Sequence, residues 1–540
     1  MAAEPTISFH GAAGGVTGSC FLLRANERSI LIDCGLFQGS KTEKELNYRA
    51  FPFSPSTVDA VILTHSHIDH SGLLPKLVKE GYRGPIYCTP ASLDLCAVML
   101  PDSAHIQEME VEQLNRRNRR RGRPIVSPIY TSADAANTLV QMRTLPYRQW
   151  CDDLEDTRFR LWNAGHLLGS ASVELEIRLQ TETLRILFSG DIGPQGKLLQ
   201  HEPEAPAQWD YVICESTYGD EDRVDISPEQ RRALLREEVN RAARSPNGAL
   251  VIPSFAVDRT QELLTDLVVL MDQDLISPCP VVVDSPLASR ATEMFRRNVS
   301  ELERGDLLQR ALSSRHVRFT ETVEQSKALD DQMEFHIVIA ASGMCEAGRI
   351  RHRLKRWLWR EEATVLLVGY QAEGTLGRLL EQGARTVRLQ GDDIAVKASI
   401  RKLDVYSGHA DAKELVDWIR QRLPIKTSLF LVHGETSALE GLHRRIEDIN
   451  PGFSIIQPSL DSTYMLGRSE SKQTSPEVPP RLPPLQVGSR DWHNDFQGFV
   501  LDLQERLATA ADDKARRVIL RRVMGALDED ERSTGRSSRD

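Results

Sequence analysis

The densest chemistry in the chain lies in one stretch, Thr64-His65-Ser66-His67-Ile68-Asp69-His70-Ser71-Gly72. Its imidazoles and carboxylate are the donors that zinc, or another borderline divalent ion such as iron or manganese, takes from a protein. His65 and His67 are two apart, so an extended backbone points both the same way and they can hold one ion. Asp69 and His70 lie further round the turn and can face a second. The bland reading is a group of surface histidines near a turn, but His-x-His-x-Asp-His at a strand end is too specific a pattern for that.

Such a loop needs rigid elements on both sides. The apolar run Val58 to Leu63 reads as a buried strand ahead of it, and Leu73, Leu74 and Leu77 suggest a helix behind it. Ser29 to Ile32 reads as a further strand, ending at Asp33 in an acidic loop. Two more strand ends carry ligand types. Arg158 to Trp162 leads to Asn163-Ala164-Gly165-His166-Leu167-Leu168-Gly169-Ser170, and Arg185 to Ser189 leads to Gly190-Asp191-Ile192-Gly193. Alone, His166 would read as a packed core histidine and Asp191 as a turn former. In glycine-flanked loops at strand ends they bring the ligand count to six, which two ions need.

With 540 residues the chain is too long for one core, so two or three domains are expected. Its 40% hydrophobic and 27% charged residues are those of a soluble globular protein, and no run is apolar and long enough to span a membrane. The start, Met1-Ala2-Ala3-Glu4-Pro5, has neither a basic leader nor an apolar signal core, so a cytoplasmic location is expected. Eight scattered cysteines without a Cys-x-x-Cys pair fit reduced, mostly buried thiols. A net charge of −10 argues against a generally basic nucleic-acid coat and leaves room for a local positive cleft.

The ordered set His-x-His-x-Asp-His, Gly-His and Ser-Gly-Asp resembles the metallo-β-lactamase superfamily. The resemblance implies an αββα sandwich with two metal ions, most suitably zinc, at the strand edge. His65, His67 and His166 would bind the first and Asp69 and His70 the second, with Asp191 bridging them.

The next region reads as a repeated strand-loop-helix pattern with four strands: Ala249 to Pro253, Pro280 to Asp284, His336 to Ala340 and Thr364 to Gly369. That repeat means a mostly parallel sheet with ligand loops at the strands' carboxyl ends. Ser254, Arg259, Ser342, Gly343, Arg349 and Thr375 in those loops suit phosphate oxygens, although ordinary helix capping explains each loop taken alone. Metal chemistry then returns in Ser407-Gly408-His409-Ala410-Asp411 and in His433-Gly434-Glu435.

Glu215, His409 and His433, with Pro-Ser-Phe-Ala, Ser-Gly-Met and Gly-Tyr-Gln-Ala-Glu-Gly-Thr, closely resemble the β-CASP nucleases over about residues 6–465. The resemblance implies RNA cleavage to a 5′-phosphate and a 3′-hydroxyl by a two-metal hydroxide mechanism. His433 would join the metal ligands. His409, oriented by Glu215, would be the general acid, and Asp69 would count among the catalytic residues as well as the ligands. An endonuclease is expected, with 5′-to-3′ exonuclease action left open, and the partner is RNA. A DNA nuclease of the same superfamily, a small-molecule metallo-hydrolase and an inactive binding subunit are the alternatives. In the DNA-repair branch the position of His433 is typically valine, and the inactive subunits have lost ligands that this chain keeps. Two positions depart from the family pattern. Gly408 stands where alanine is usual and would loosen His409, and Asp258 stands where glycine is usual and would weaken phosphate contacts near Arg259.

The expected layout is α/β throughout. Residues 1–212 and 397–467 form the sandwich, 213–396 the inserted parallel β-CASP domain, 468–488 a proline-rich linker, and 489–540 a helical extension with a disordered tail. Phe496, Phe499, Leu501, Leu503 and Leu507 give the extension a packing face, and a homodimer through it stays open. The segment beyond about Ser469 is expected to lie outside the chemistry. Arg116 to Arg123 holds six arginines in eight residues, read as a solvated loop or as a contact for backbone phosphates.

Overall fold

Strands that are apolar on both faces must be covered on both faces, and the ligand-bearing strands here are of that kind. A computed structural model describes residues 4–180, 182–223, 227–371, 375–448, 452–474, 479–483, 487, 503, 506–507 and 510–534, the last eleven by backbone alone. In it two sheets stack face to face. The eight-stranded sheet runs, edge to edge, Ser471–Thr474, Ser462–Leu466, Thr6–Phe9, Phe21–Ala25, Arg28–Ile32, Ala60–Ile62, Ile86–Cys88 and Met142–Thr144. The seven-stranded sheet runs Ser454–Ile456, Ile425–Val432, Trp209–Glu215, Thr183–Phe188, Ala171–Arg178, Thr157–Asn163 and Cys151–Leu154.

Phe9, Phe21, Ile32 and Ile62 from the first sheet meet Phe159, Val173, Ile213 and Phe430 from the second in one core. Leu74, Leu77 and Leu100 cover the outer face of the first sheet, and Leu415, Ile419 and Leu442 that of the second. This is the expected αββα sandwich. All eight cysteines are unpaired and buried, and no helix among the described residues is long and apolar enough to cross a membrane.

The inserted sheet has six strands, all parallel, in the order Val317–Phe319, Val281–Val283, His336–Ala340, Ala249–Pro253, Thr364–Leu367 and Ser399–Lys402. The helices Arg259–Asp272 and Ile350–Trp357 pack on its two faces. Four of these strands match the expectation. The other two are edge strands, short or polar, so neither shows an apolar run. Ser399–Lys402 carries the sheet beyond residue 396, where the insertion was expected to end.

Two further expectations are corrected. The arginine run is a loop only from Arg121 onward. The helix Pro90–Arg120 continues through Arg116, Arg117, Arg119 and Arg120, because arginine is a good helix former and suits a helix carboxyl end. The start of the expected linker is also structured. Ser471–Thr474 pairs antiparallel with Ser462–Leu466, filling a sheet edge with polar residues, and Leu482 is buried among Phe37, Leu46 and Leu460. Residues Phe496, Phe499 and Leu501 of the expected helical extension lie outside the described residues, while Asp513–Thr534 is a helix.

Candidate metal centre

Four loops at the strand ends deliver the candidate ligands to one place. The strand Ala60–Ile62 ends in the Thr64–His67 turn, and a one-turn helix, Ile68–Ser71, brings Asp69 and His70 round. His65 Nε2 and His166 Nε2 stand 3.2 and 3.1 Å from His67 Nδ1. With Asp191 these three histidines form one cluster, and Asp69, His70 and His433 form a second. His70 Nε2 faces His433 Nε2 at 3.2 Å, and His433 Nε2 faces Asp69 Oδ2 at 3.7 Å. Asp191 lies between the clusters. Its Oδ2 is 3.5 Å from His65 and 3.6 Å from His166, while its Oδ1 is 3.3 Å from His70 and 3.8 Å from His433.

These residues fit divalent ions. Donor atoms on a tetrahedral ion with bonds of 2.0–2.1 Å stand about 3.3 Å apart, which is the spacing within each cluster. Asp191 Oδ1 is buried without a hydrogen-bond partner, a costly state for a carboxylate oxygen unless a cation meets it. Electrostatics agree. Burial pushes the imidazoles of His65 and His166 well below their ordinary value and that of His67 down to about 4, so their lone pairs stay free for a metal. Burial also opposes protonation of His70 and His433, but Asp191 with Asp33 for the first, and Asp191 with Asp69 for the second, outweigh it and raise both. Burial alone would raise the Asp191 carboxyl, yet His433, His70 and His65 hold it well below the usual range. In the second cluster the carboxylates hold protons on His70 and His433, and a metal would displace those protons when it binds.

A shell of partners holds the candidate ligands, as metal-binding histidines require. Asp33 Oδ2 lies 2.7 Å from His70 Nδ1 and also accepts from the Thr64 hydroxyl at 2.8 Å. The Gly408 carbonyl lies 2.7 Å from His166 Nδ1. Thr217 Oγ1 lies 3.1 Å from His433 Nδ1. Lys197 Nζ donates to the His166 carbonyl at 2.6 Å and is paired with Asp258. None of these four partners was singled out for such a role from the sequence. Asp33 had a usable signal, an acidic residue at the carboxyl end of a buried strand next to the ligand loop. The others depend on tertiary contacts.

Beside the two clusters lies a third, of Asp191, Glu215 and His409. Glu215 is pinned on both oxygens. Oε1 accepts from the Ile192 amide at 2.6 Å, and Oε2 accepts from the Thr217 hydroxyl at 2.6 Å. Oε1 is also 3.2 Å from His409 Nδ1, which leaves Nε2 of that ring to face outward. The expected looseness at Gly408 is not what the contacts show. The His409 amide donates to Ser407 Oγ at 3.2 Å, and Arg223 donates to the His409 carbonyl.

The residues expected to hold phosphate part company. Ser254, Arg259 and Gly343 converge on Phe255, with the Arg259 guanidinium 4.8 Å from its ring centre and Gly343 packed so closely that a Cβ would stand 3.1 Å from the ring. Ser342 adjoins them in the chain, and Thr375 caps the helix Leu376–Glu381. Arg259 donates to the Tyr406 carbonyl at 2.9 Å, and burial lowers its pKa from the ordinary arginine value. Arg349 is elsewhere, 3.0 Å from Asp284 and bonded to Thr320 and Glu321. Asp258 has a φ of +71°, a backbone that favours glycine, and its carboxylate turns to Lys197 and Gln200.

Comparison with known proteins follows the same division of the chain. The Metallo-beta-lactamase superfamily model matches residues 13–96, the Beta-Casp domain model residues 260–380, and the model of the Zn-dependent metallo-hydrolase RNA specificity domain residues 393–458. The chain is 36% identical over 437 residues to Ribonuclease TTHA0252 of Thermus thermophilus, covering 80% of this chain and 94% of that one. It is 30% identical over 446 residues to Transcription termination factor FttA of Methanocaldococcus jannaschii, covering 80% of this chain and 67% of the relative. FttA of Cenarchaeum symbiosum is 30% identical over 480 residues, covering 85% and 71%.

Proposed function

The chain belongs to the β-CASP family of metallo-β-lactamase-fold ribonucleases, and from that premise we propose that it hydrolyses RNA phosphodiester bonds to 5′-phosphate and 3′-hydroxyl ends. Internal cleavage is its principal mode, with 5′-to-3′ trimming as a second. The observation that carries this reading is the sharing of Asp191 between a seven-ligand centre and the His409–Glu215 pair. A phosphodiester needs both an activated water and a proton for the departing 3′-oxygen, and the two halves of this arrangement match those needs.

His65, His67 and His166 would hold one ion and Asp69, His70 and His433 the other, with Asp191 bridging. The donor set is best suited to zinc. Two divalent ions, when bound, supply a water that ionises at neutral pH and positive charge for the non-bridging phosphate oxygens. Asp33 and the Gly408 carbonyl keep the rings of His70 and His166 turned inward. Glu215 fixes the His409 ring through Nδ1, and Nε2 carries the proton to the 3′-oxygen as the P–O bond breaks. The substrate enters between sandwich and insertion. There Tyr218 lies 6.1 Å from His409 and 6.3 Å from Tyr370, and Tyr370 and Phe255 are each 37% exposed, offering ring faces on which bases can stack.

The test is a gel of the purified protein with 5′-labelled RNA and matched DNA. Internal RNA fragments ending in 3′-hydroxyls, with DNA intact, are expected. Equal cleavage of DNA would favour a DNA nuclease, and intact RNA would overturn the proposal.

A further inference from the structure

The helix Pro90–Arg120 begins against the metal centre and ends in the open. Thr89 and Ser92 both donate hydroxyls to the Gly169 carbonyl, in the loop that carries His166. From there to Arg117–Arg121 the helix covers about 40 Å at 1.5 Å per residue. The tip is built rather than frayed. Asn115 donates to the Val126 carbonyl and accepts from the Val126 amide, both at 2.8 Å, and Asn118 donates to the Pro124 carbonyl at 2.9 Å. Those two asparagines pin the returning chain to one side of the helix. At 100° per residue, Arg116, Arg117 and Arg120 fan over the other side and Arg119 flanks Asn115.

Arg116, Arg117, Arg119, Arg120, Arg121 and Arg123 are all exposed. Among the described residues only Arg116 is in an ion pair, with Glu112. Five guanidinium groups therefore stand without a counter-charge on a chain whose net charge is −10. The ordinary use of surface arginine is pairing with a neighbouring carboxylate, as Arg296 and Arg297 do with Glu293. Concentrated and unpaired on a rigid tip, such groups suit a polyanion whose phosphates come in series.

We propose that this arginine tip is a second RNA-binding site, which holds the phosphate backbone of a long RNA whose scissile bond lies in the metal centre. The proposal rests on the reading of the protein as a ribonuclease. It makes substrate length a determinant of affinity. An RNA must reach across ~40 Å, about a dozen stacked nucleotides at ~3.4 Å each, before it engages both sites. The contacts are to phosphate, so no sequence preference comes from the tip.

The experiment compares the full-length, metal-loaded protein with a variant carrying Arg117→Ala, Arg119→Ala, Arg120→Ala and Arg121→Ala. Alanine favours helix, so the element should persist, and an unchanged melting curve and circular dichroism spectrum verify that. The probes are unstructured RNAs of about 30 and about 6 nucleotides, lengths that do and do not bridge the two sites. Affinity is read by anisotropy on phosphorothioate versions, and cleavage on unmodified ones. The variant should bind the long RNA roughly 10- to 100-fold more weakly at low salt. Its log–log salt slope should fall by ~2–3, at about 0.7 per phosphate. KM should rise for the long RNA alone, with kcat/KM on the short RNA unchanged. Equal loss on both lengths, or no loss on the long one, overturns the tip as an RNA site. If the tip seats a second copy of this chain, the variant shifts sedimentation and leaves RNA affinity alone, which also overturns it. A parent protein that cleaves neither RNA fails the ribonuclease reading itself, a result distinct from these.

Discussion

The metal centre and the loops of the inserted sheet were nominated by the same kind of argument, residue type at strand ends, and the fold treats them differently. At the centre, seven side chains meet with donor atoms a few ångströms apart, and each histidine ring that needs orienting finds a carbonyl, carboxylate or hydroxyl. In the insertion, Arg259 is bonded to the Tyr406 carbonyl and Arg349 to Asp284 and Thr320. The difference follows from the groups. A neutral imidazole buried beside other imidazoles has few structural uses, so its presence in a strand-end loop narrows the choice to a metal. A guanidinium has five donors and many uses, and tertiary neighbours can claim it for the protein's own carbonyls and carboxylates.

The largest expected effect tests whether the centre is a single unit. Asp191→Ala removes the carboxylate whose two oxygens face both clusters. Cleavage should fall at least about 10⁴-fold, since metal charge stabilisation and water activation each contribute several kcal/mol at 1.4 kcal/mol per decade. Elemental analysis should show fewer than two ions per chain, and chelation of the parent should abolish activity. A variant with full metal content and near-parental rate would show that the clusters act separately.

Next comes the pair beside the centre. His409→Ala should leave metal content and RNA binding near normal and slow cleavage by about 10²–10⁴-fold, the range for a positioned general acid. The loss should shrink on a nitrophenyl phosphodiester, whose leaving group needs no proton. Equal loss on both substrates would place His409 with the ligands or the positioning residues. Glu215→Gln should give a milder form of the same pattern, because it disturbs the ring without removing it.

What was legible in the sequence divides along the same line. The sandwich, the parallel insertion and the side chains that meet at the candidate centre were readable because long apolar strands and a strict His/Asp spacing leave little choice. Val317–Phe319 and Ser399–Lys402 were not, since edge strands that are short or polar carry no apolar signature. Asp33 could be seen as an acidic strand end, but its task at His70 appears only when two loops separated by the strand Ala60–Ile62 fold together. Thr217 and Lys197 act through bonds to residues far away in the chain, which no local pattern encodes.

Arg349→Ala asks whether the protein's own groups hold the insertion's arginines as fully as the contacts indicate. Asp284 is fully buried and would keep Arg353, Thr320 and Ser326 as partners. The change should therefore cost about 1–3 kcal/mol of stability, the usual penalty for an incompletely satisfied buried group. Denaturant melts should show this, with KM for RNA within about 3-fold at a temperature where the variant is folded. A KM raised tenfold with unchanged stability would make Arg349 a phosphate contact and erase the contrast between the two regions.

The smallest effect is the most discriminating, because two readings of Gly408 give opposite signs. If glycine is there for mobility, alanine should stiffen the loop and speed the reaction by steadying His409. The contacts argue for the other reading. Ser407, Arg223 and the Ala410 amide, which donates to the Ile192 carbonyl at 2.8 Å, already hold the loop on both sides of the glycine. What glycine permits here is approach. A Cβ at 408 would stand 3.0 Å from His166 Cε1 and 3.3 Å from Nδ1, on the ring whose Nδ1 faces the carbonyl of the same residue. Gly408→Ala must then push the His166 ring, the loop or both by a few tenths of an ångström. The cost should be about 1 kcal/mol, the low end of overpacking in a tight site, or ~5-fold in ion affinity at the cluster that contains His166. Competition with a fluorescent chelator should register that loss, and cleavage at limiting metal should slow in proportion while recovering in excess metal. Faster cleavage with unchanged metal affinity would mean that the loop moves in the parent protein and that His409, not His166, is the residue Gly408 serves.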